Sequence, residues 1–101
     1  MTAYFIAQIQ WNSPADREAY VHSLGGVIEK HGGRYLITSS ESRVAEGQWL
    51  PGRLVVIEFP SMADLKAWYE SEEYRPALEL RLKGSRSNAI MVEGNPAPPS
   101  R

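Results

Sequence analysis

Arg81 is the residue whose chemistry and position disagree most. Residues 74–84 carry an apolar helical stripe of Tyr74, Ala77, Leu78 and Leu82, and Arg81 falls near its centre. A permanent cation on a stripe meant for the interior needs a partner. Two kinds of partner suit it. One is structural, a carboxylate such as Glu58 or a backbone carbonyl. The other is an anionic ligand, because the planar guanidinium can take a carboxylate or enolate through two parallel hydrogen bonds. In that second reading Tyr20, Trp68, Tyr69 and Tyr74 would wall a ligand site around Arg81.

Three further side chains could take part. Arg53 shares strand parity with Val55, Ile57 and Phe59, although at the first residue of its strand a long side chain readily reaches solvent. Glu58 sits between Ile57 and Phe59, where burial would raise its pKa toward that of a useful general base; a solvated edge carboxylate is the structural alternative. His31 lies on the apolar face of the first helix but also in its last turn, where an imidazolium caps free carbonyls as readily as it moves a proton. Glu58 and His31 are therefore the candidate catalytic residues, and Arg81, Arg53, Tyr20, Trp68, Tyr69 and Tyr74 the candidate ligand-binding ones.

Several chemistries find no residues here. The chain has no cysteine, which excludes thiolate metal sites, disulfides and cysteine nucleophiles. His22 falls on the helix face opposite His31, so no histidine pair is available, and neither a metal nor another cofactor is expected. No Gly-x-Gly-x-x-Gly, Walker loop or Ser/His/Asp arrangement is present. The net charge of −1 gives no field favouring nucleic acid or an anionic membrane. The strand over residues 53–59 lacks the aromatic pattern of RNA-reading sheets. Met1-Thr2-Ala3-Tyr4 lacks a signal-peptide pattern and no apolar run could cross a bilayer, so the expected location is cytoplasmic.

The elements that must position these residues are legible in turn. Residues 3–11 read as a strand, with Phe5, Ala7, Ile9 and Trp11 on one parity. Ser13-Pro14-Ala15-Asp16 supplies a cap, a proline at the first helical position and an early acid. The helix that follows has an apolar face of Tyr20, Leu24, Val27, Ile28 and His31 and is closed by Gly32-Gly33. Gly25 and Gly26 interrupt it, which points to close approach of a neighbouring element or to a locally weak helix, the former being favoured. Residues 34–39 and 53–59 read as strands two and three. Ser61-Met62-Ala63-Asp64 opens a second helix, which breaks and restarts near Ser71 and Pro76 and runs through residues 76–84. Residues 87–93 form strand four.

The two helix starts echo each other. Ser13-x-Ala15-Asp16-x-x-Ala19-Tyr20 and Ser61-x-Ala63-Asp64-x-x-Ala67-Trp68 share one pattern, each after a strand, as expected of two β-α-β units about a pseudo-twofold axis. The reading is a single α+β domain over residues 1–94, ferredoxin-like βαββαβ, with a four-stranded antiparallel sheet and helices on one face, followed by an extended tail at 95–101. Both parities of strands three and four are apolar: Val55, Ile57 and Phe59 against Leu54 and Val56, and Ile90 and Val92 against Ala89 and Met91. With helices on one face only, a second copy of the chain is the economical cover for the other, so a homodimer is expected.

The chain resembles a bacterial family, domain of unknown function 1330, within the dimeric α/β-barrel superfamily. The resemblance rests on Gly32-Gly33-Arg34-Tyr35-Leu36, on Glu46-Gly47 with Arg53-x-Val55-Val56-Ile57-Glu58-Phe59-Pro60-Ser61, on Ala67-Trp68-Tyr69-x-Ser71-x-x-Tyr74, and on Arg81 and Val92-Glu93-Gly94. It implies two such sheets packed face to face as a dimeric α/β barrel. It supplies no single activity, since the wider superfamily includes cofactor-free monooxygenases, lactone isomerases, haem enzymes and stress-related proteins. Thr38-Ser39-Ser40 stands where relatives commonly show Arg-Gly-Gly, and Arg17 stands where an aromatic is frequent. Two functions follow as expectations. One is a cofactor-independent enzyme, isomerase- or monooxygenase-like, on a small acidic or phenolic metabolite; the other is a non-catalytic ligand-binding or structural dimeric module.

Overall fold

The computed structural model describes residues 1–94, so the expected tail at 95–101 lies outside the described residues. In chain order it contains β1 (Ala3–Trp11), α1 (Pro14–Ser23), α2 (Val27–Lys30), β2 (Arg34–Ser39) and β3 (Arg53–Phe59). These are followed by α3 (Met62–Tyr69), α4 (Arg75–Gly84) and β4 (Ser85–Glu93). The strands form one four-stranded sheet in the order β2-β3-β1-β4, with every neighbouring pair antiparallel. This is the ferredoxin-like fold expected from the sequence, with the two central strands each opening one half of the repeat.

The echo between the halves is a structural identity at both helix starts. Ser13 and Ser61 are extended N-caps with nearly equal backbone angles, φ −157° and ψ 160° against φ −155° and ψ 164°. Each hydroxyl accepts the backbone N–H three residues on at 3.1 Å and donates to that residue's carboxylate at 2.9 Å, so Asp16 and Asp64 hold their caps in the same way.

The core forms because alternate residues of β1 and β3 point at the helices. Ala3, Phe5, Ala7 and Ile9 from β1 and Val55, Ile57 and Phe59 from β3 meet Val27 and Ile28 of α2, Leu65 and Trp68 of α3, and Tyr74 and Ala77. The halves then diverge. α3 lies on the sheet with Leu65 and Trp68 buried, whereas α1 buries no residue at all. The aromatic of the shared pattern is thus a core residue in one half, Trp68, and a half-buried one in the other, Tyr20.

The first helix is not continuous. Gly25 and Gly26 have φ of 53° and 78°, left-handed values that end α1 before α2 begins. A methyl group placed on either glycine would meet nothing within 4 Å. The expectation of close packing at this pair is therefore corrected: the glycines are there for the turn they permit. The second helical region also restarts as expected, with the Ser71 hydroxyl accepting the Tyr74 N–H before α4.

A bulge in β2 has a consequence for the site. Tyr35 pairs with Ile57, but Ile37 pairs with Val56, so Leu36 is the extra residue. Regular alternation would turn Tyr35 and Thr38 to opposite faces. The bulge turns both to the helix side.

Candidate functional site

Between α1 and the helix-side face of the sheet lies a cavity of about 300 Å³. Its floor is Phe5, Ala7 and Ile9 of β1 with Val55 and Ile57 of β3. Its roof is the inward stripe of α1, Arg17, Tyr20, Val21 and Leu24, at i, i+3, i+4 and i+7. Because this helix stands off the sheet rather than burying its stripe, the space beneath it stays open. Tyr35 and Thr38 close one side.

Arg81 reaches this cavity from α4 and is only 2% exposed. Its Nη1 donates to the Ser87 hydroxyl at 2.9 Å, and its guanidinium carbon lies 5.8 Å from the Phe5 ring centroid. Its Nε is buried and has no hydrogen-bond acceptor among the described residues. Burial opposes the charge, but a hydrogen bond to Tyr74 and the negative charge that Tyr74, Tyr20 and Tyr69 would carry if ionised outweigh it, so the guanidinium pKa lies above its ordinary value. The expected pairing with Glu58 does not occur. Glu58 is on the other face of the sheet, directly across from Arg34, whose Nη2 lies 2.8 Å from its Oε1.

The other candidates divide between the cavity and the material behind it. Arg53 and Tyr20 line the cavity with Arg81. Arg53 donates from Nη1 to Thr38 Oγ1 at 3.1 Å, a contact made possible by the bulge. The Tyr20 and Tyr74 hydroxyls are 2.9 Å apart. Tyr74 and Trp68 are fully buried, and with Tyr69 they form an aromatic cluster behind the cavity, Trp68 stacking on Phe59 at 5.3 Å and lying 4.4 Å from Tyr74 between ring centroids. Their part is to fix Tyr20 and Phe5 rather than to wall the space. His31 caps α2, its Nδ1 donating to the Val27 carbonyl at 2.9 Å. Neither His31 nor Glu58 borders the cavity.

Among the hydroxyl- and guanidinium-bearing residues that border it, three were not singled out as ligand-binding from the sequence: Arg17, Tyr35 and Thr38. The spacing of Arg17 with Tyr20 and Leu24 was the available signal for the first. The bulge, which orients the other two, has no sequence signature. The cavity lining thus holds three guanidiniums, those of Arg17, Arg53 and Arg81, and no carboxylate or imidazole. None of the three forms an ion pair among the described residues; the ion pairs there are Lys30–Glu73 and Arg34–Glu58. Burial and the Tyr74 hydroxyl push the Tyr20 phenol far above its usual pKa, and burial with nearby Glu29 pushes Tyr35 up to about 12. Both therefore stay neutral donors at physiological pH. The arrangement is one that accepts negative charge.

A larger cavity of about 390 Å³ lies under the loop between β2 and β3, against Gln8 and Leu54 of the outer sheet face. Its walls are mostly exposed loop side chains, among them Trp49 at 59% exposure. Charge there is mixed, with Glu46 beside Arg43 and Arg53. The smaller cavity, with a buried cation in its wall, is the better-built site. Among the described residues no three His, Cys, Asp or Glu side chains gather closely enough to hold a metal ion, and no helix is long and apolar enough to cross a membrane.

A family profile, the domain of unknown function DUF1330, matches residues 2–95. The chain belongs to the DUF1330 family. No curated protein matches it. Solved structures share the fold of this DUF1330 chain at low identity. A protein of unknown function from Rhodopseudomonas palustris has 17% identity and a TM-score of 0.74, over 95% of this chain and 84% of its own. A dimeric ferredoxin-like protein of unknown function from Jannaschia sp. CCS1 has 10% identity and a TM-score of 0.70, over 93% and 100%. SnoaB, a cofactor-independent oxygenase from Streptomyces nogalater, has 11% identity and a TM-score of 0.65, over 97% of each chain.

Proposed function

We propose that this chain binds a small planar organic anion, an aromatic carboxylate or phenolate, in the cavity between α1 and the sheet, with Arg81 as its anchor. One observation carries the reading: a guanidinium 2% exposed in a cavity wall, with a buried Nε lacking any acceptor and no carboxylate to neutralise it. A structural cation is held by a fixed counter-charge, because an unpaired buried charge is costly. Here the counter-charge is missing from the protein, whose partners for the guanidinium are the neutral hydroxyls of Ser87 and Tyr74, and a bound carboxylate would supply it. The apolar floor of Phe5, Ala7, Ile9, Val55 and Ile57 suits the ring of such a ligand.

The protein also acts as a homodimer in this reading. On the outer sheet face Ile6 is flanked in register by Val56 and Ile90, and Ile90 is 58% exposed in the single chain. Leu36 and Ile37 extend the apolar surface at the sheet edge. Covering this face with its own copy is the solution that the dimeric neighbour from Jannaschia supports.

A catalytic reading is favoured by one feature of the same cavity. Three cations and two neutral phenols, Tyr20 and Tyr35, would stabilise a phenolate or enolate form of a bound ligand, which is the need of cofactor-independent chemistry such as that of the SnoaB neighbour. In that case proton transfer runs through Tyr20 or solvent, since Glu58 and His31 are engaged elsewhere. Calorimetric titration with benzoate, 4-hydroxybenzoate and short keto acids tests the binding reading. Saturable binding to the wild type and none to Arg81→Met is the expected result; no binding to the wild type would overturn it. Oxygen uptake with a phenolic panel, in the absence of added metal, tests the catalytic one.

A further inference from the structure

The two ends of the cavity carry separate cations, and their separation is set by strand register. Ile9 pairs with Arg53 on one side and with Ser87 on the other, so Arg53, Ile9 and Ser87 form one row across β3, β1 and β4. Two strand spacings therefore lie between the Arg53 and Ser87 backbones, roughly 10 Å. The Arg81 guanidinium is tied to the Ser87 end of that row by its hydrogen bond to Ser87. Arg53 is turned the other way, toward the sheet edge, by its hydrogen bond to Thr38 of β2. Between the two positions the floor is apolar.

One anionic group cannot neutralise two cations held this far apart. A monocarboxylate on Arg81 would leave Arg53, and Arg17 on the roof, facing a ligand ring with no charge to meet them. We infer that the ligand is a planar dianion with anionic oxygens at opposite ends of a ring, such as an aromatic dicarboxylate or a carboxylate that is also a phenolate. One end is held by Arg81 and the other by Arg53. This rests on the anion-binding reading above and narrows it.

The test compares benzene-1,4-dicarboxylate, benzoate and the dimethyl ester of the diacid by calorimetry. The wild type binds the dicarboxylate at least about tenfold more tightly than benzoate, since each charge-assisted end contact contributes separately, and does not bind the ester. In Arg53→Gln the preference for the diacid collapses toward one. A salt titration of the wild type reads the same property without a variant: dicarboxylate affinity falls more steeply with ionic strength than benzoate affinity. Equal affinities and equal salt slopes for benzoate and the diacid would overturn the two-ended site and leave the anion-binding reading standing. Failure of both acids to bind would overturn both.

Discussion

Replacing Arg81 by methionine separates what this residue does for stability from what it does for binding. Removing one partner of a buried ion pair strands the other and costs about 3–5 kcal/mol. No carboxylate is stranded here, only the hydroxyls of Ser87 and Tyr74, and methionine keeps the length of the apolar stem. Arg81→Met is therefore expected to melt at the wild-type temperature or above it, a gain of about 0–2 kcal/mol, while losing the ligand-induced rise seen in the wild type. A second residue-scale prediction concerns alkali. Tyr20 and Tyr35 have phenol pKa values raised in the fold, the latter to about 12, so the stability they contribute is fully present below the unfolded value of about 10. The Tyr35 part is lost as pH rises through about 12 and the Tyr20 part continues to be lost above it. Melting temperatures should hold to about pH 10 and then fall, and Tyr20→Phe should flatten that fall; an unchanged slope in the variant would contradict it. Binding of carboxylates, by contrast, should weaken on the acid side, as the ligand protonates near its own pKa of about 4. At this scale Arg81 was legible because a cation interrupts an apolar stripe. Glu58 misled, although its shared parity with Leu54 and Val56 already turned it from the helices. Arg17 shares its helical spacing with Tyr20 and Leu24, but an arginine on an exposed helix is ordinary until the space beneath it is known.

At the scale of elements, the difference between α1 and α3 decides where the cavity can be. Both begin with the same cap, but only α3 drives side chains into the core. α1 rests on α4, with Asp16 against Gly84, but leaves the sheet beneath it open, so it is expected to be locally weaker than α3. Its backbone amides should exchange with deuterium faster than those of α3, and a bound aromatic acid should slow them; equal protection of both helices in the free protein would refute this. Gly25→Ala or Gly26→Ala should each destabilise by about 1–2 kcal/mol, since a β-carbon is disfavoured at positive φ even where space is free. Chemical denaturation measures that cost directly. The order of the elements and both caps followed from the sequence, because caps, prolines and strand alternation are local. The break at Gly25-Gly26 was visible but its cause was not, since glycines at a turn and at a close contact look alike. The β2 bulge depends on pairing between distant segments and left no local mark.

For the whole molecule, the outer sheet face makes the assembly testable. A stable interface usually buries about 800 Å² per partner, with an apolar centre, and Ile6, Val56 and Ile90 would stand at that centre. Light scattering should give twice the chain mass for the wild type and the single-chain mass for Ile90→Lys, with helix-side packing intact by circular dichroism. A wild-type monomer at micromolar concentration would remove the argument. The two-sided apolar strands were plain from the sequence; the cavity was not, because it arises where one half of an internal repeat fails to pack like the other. The outer end of the β1–β4 ladder brings the two ends of the described chain together. The Gly94 N–H donates to the Thr2 carbonyl at 2.7 Å, so the first and last described strands lie side by side with their ends together. The order of the two β-α-β halves along the chain is then not essential to the fold. A circular permutant joining these ends through a short linker, and opened in the exposed loop between β2 and β3, should fold and keep its cavity, placing β3, α3, α4 and β4 ahead of β1 and α1 in synthesis.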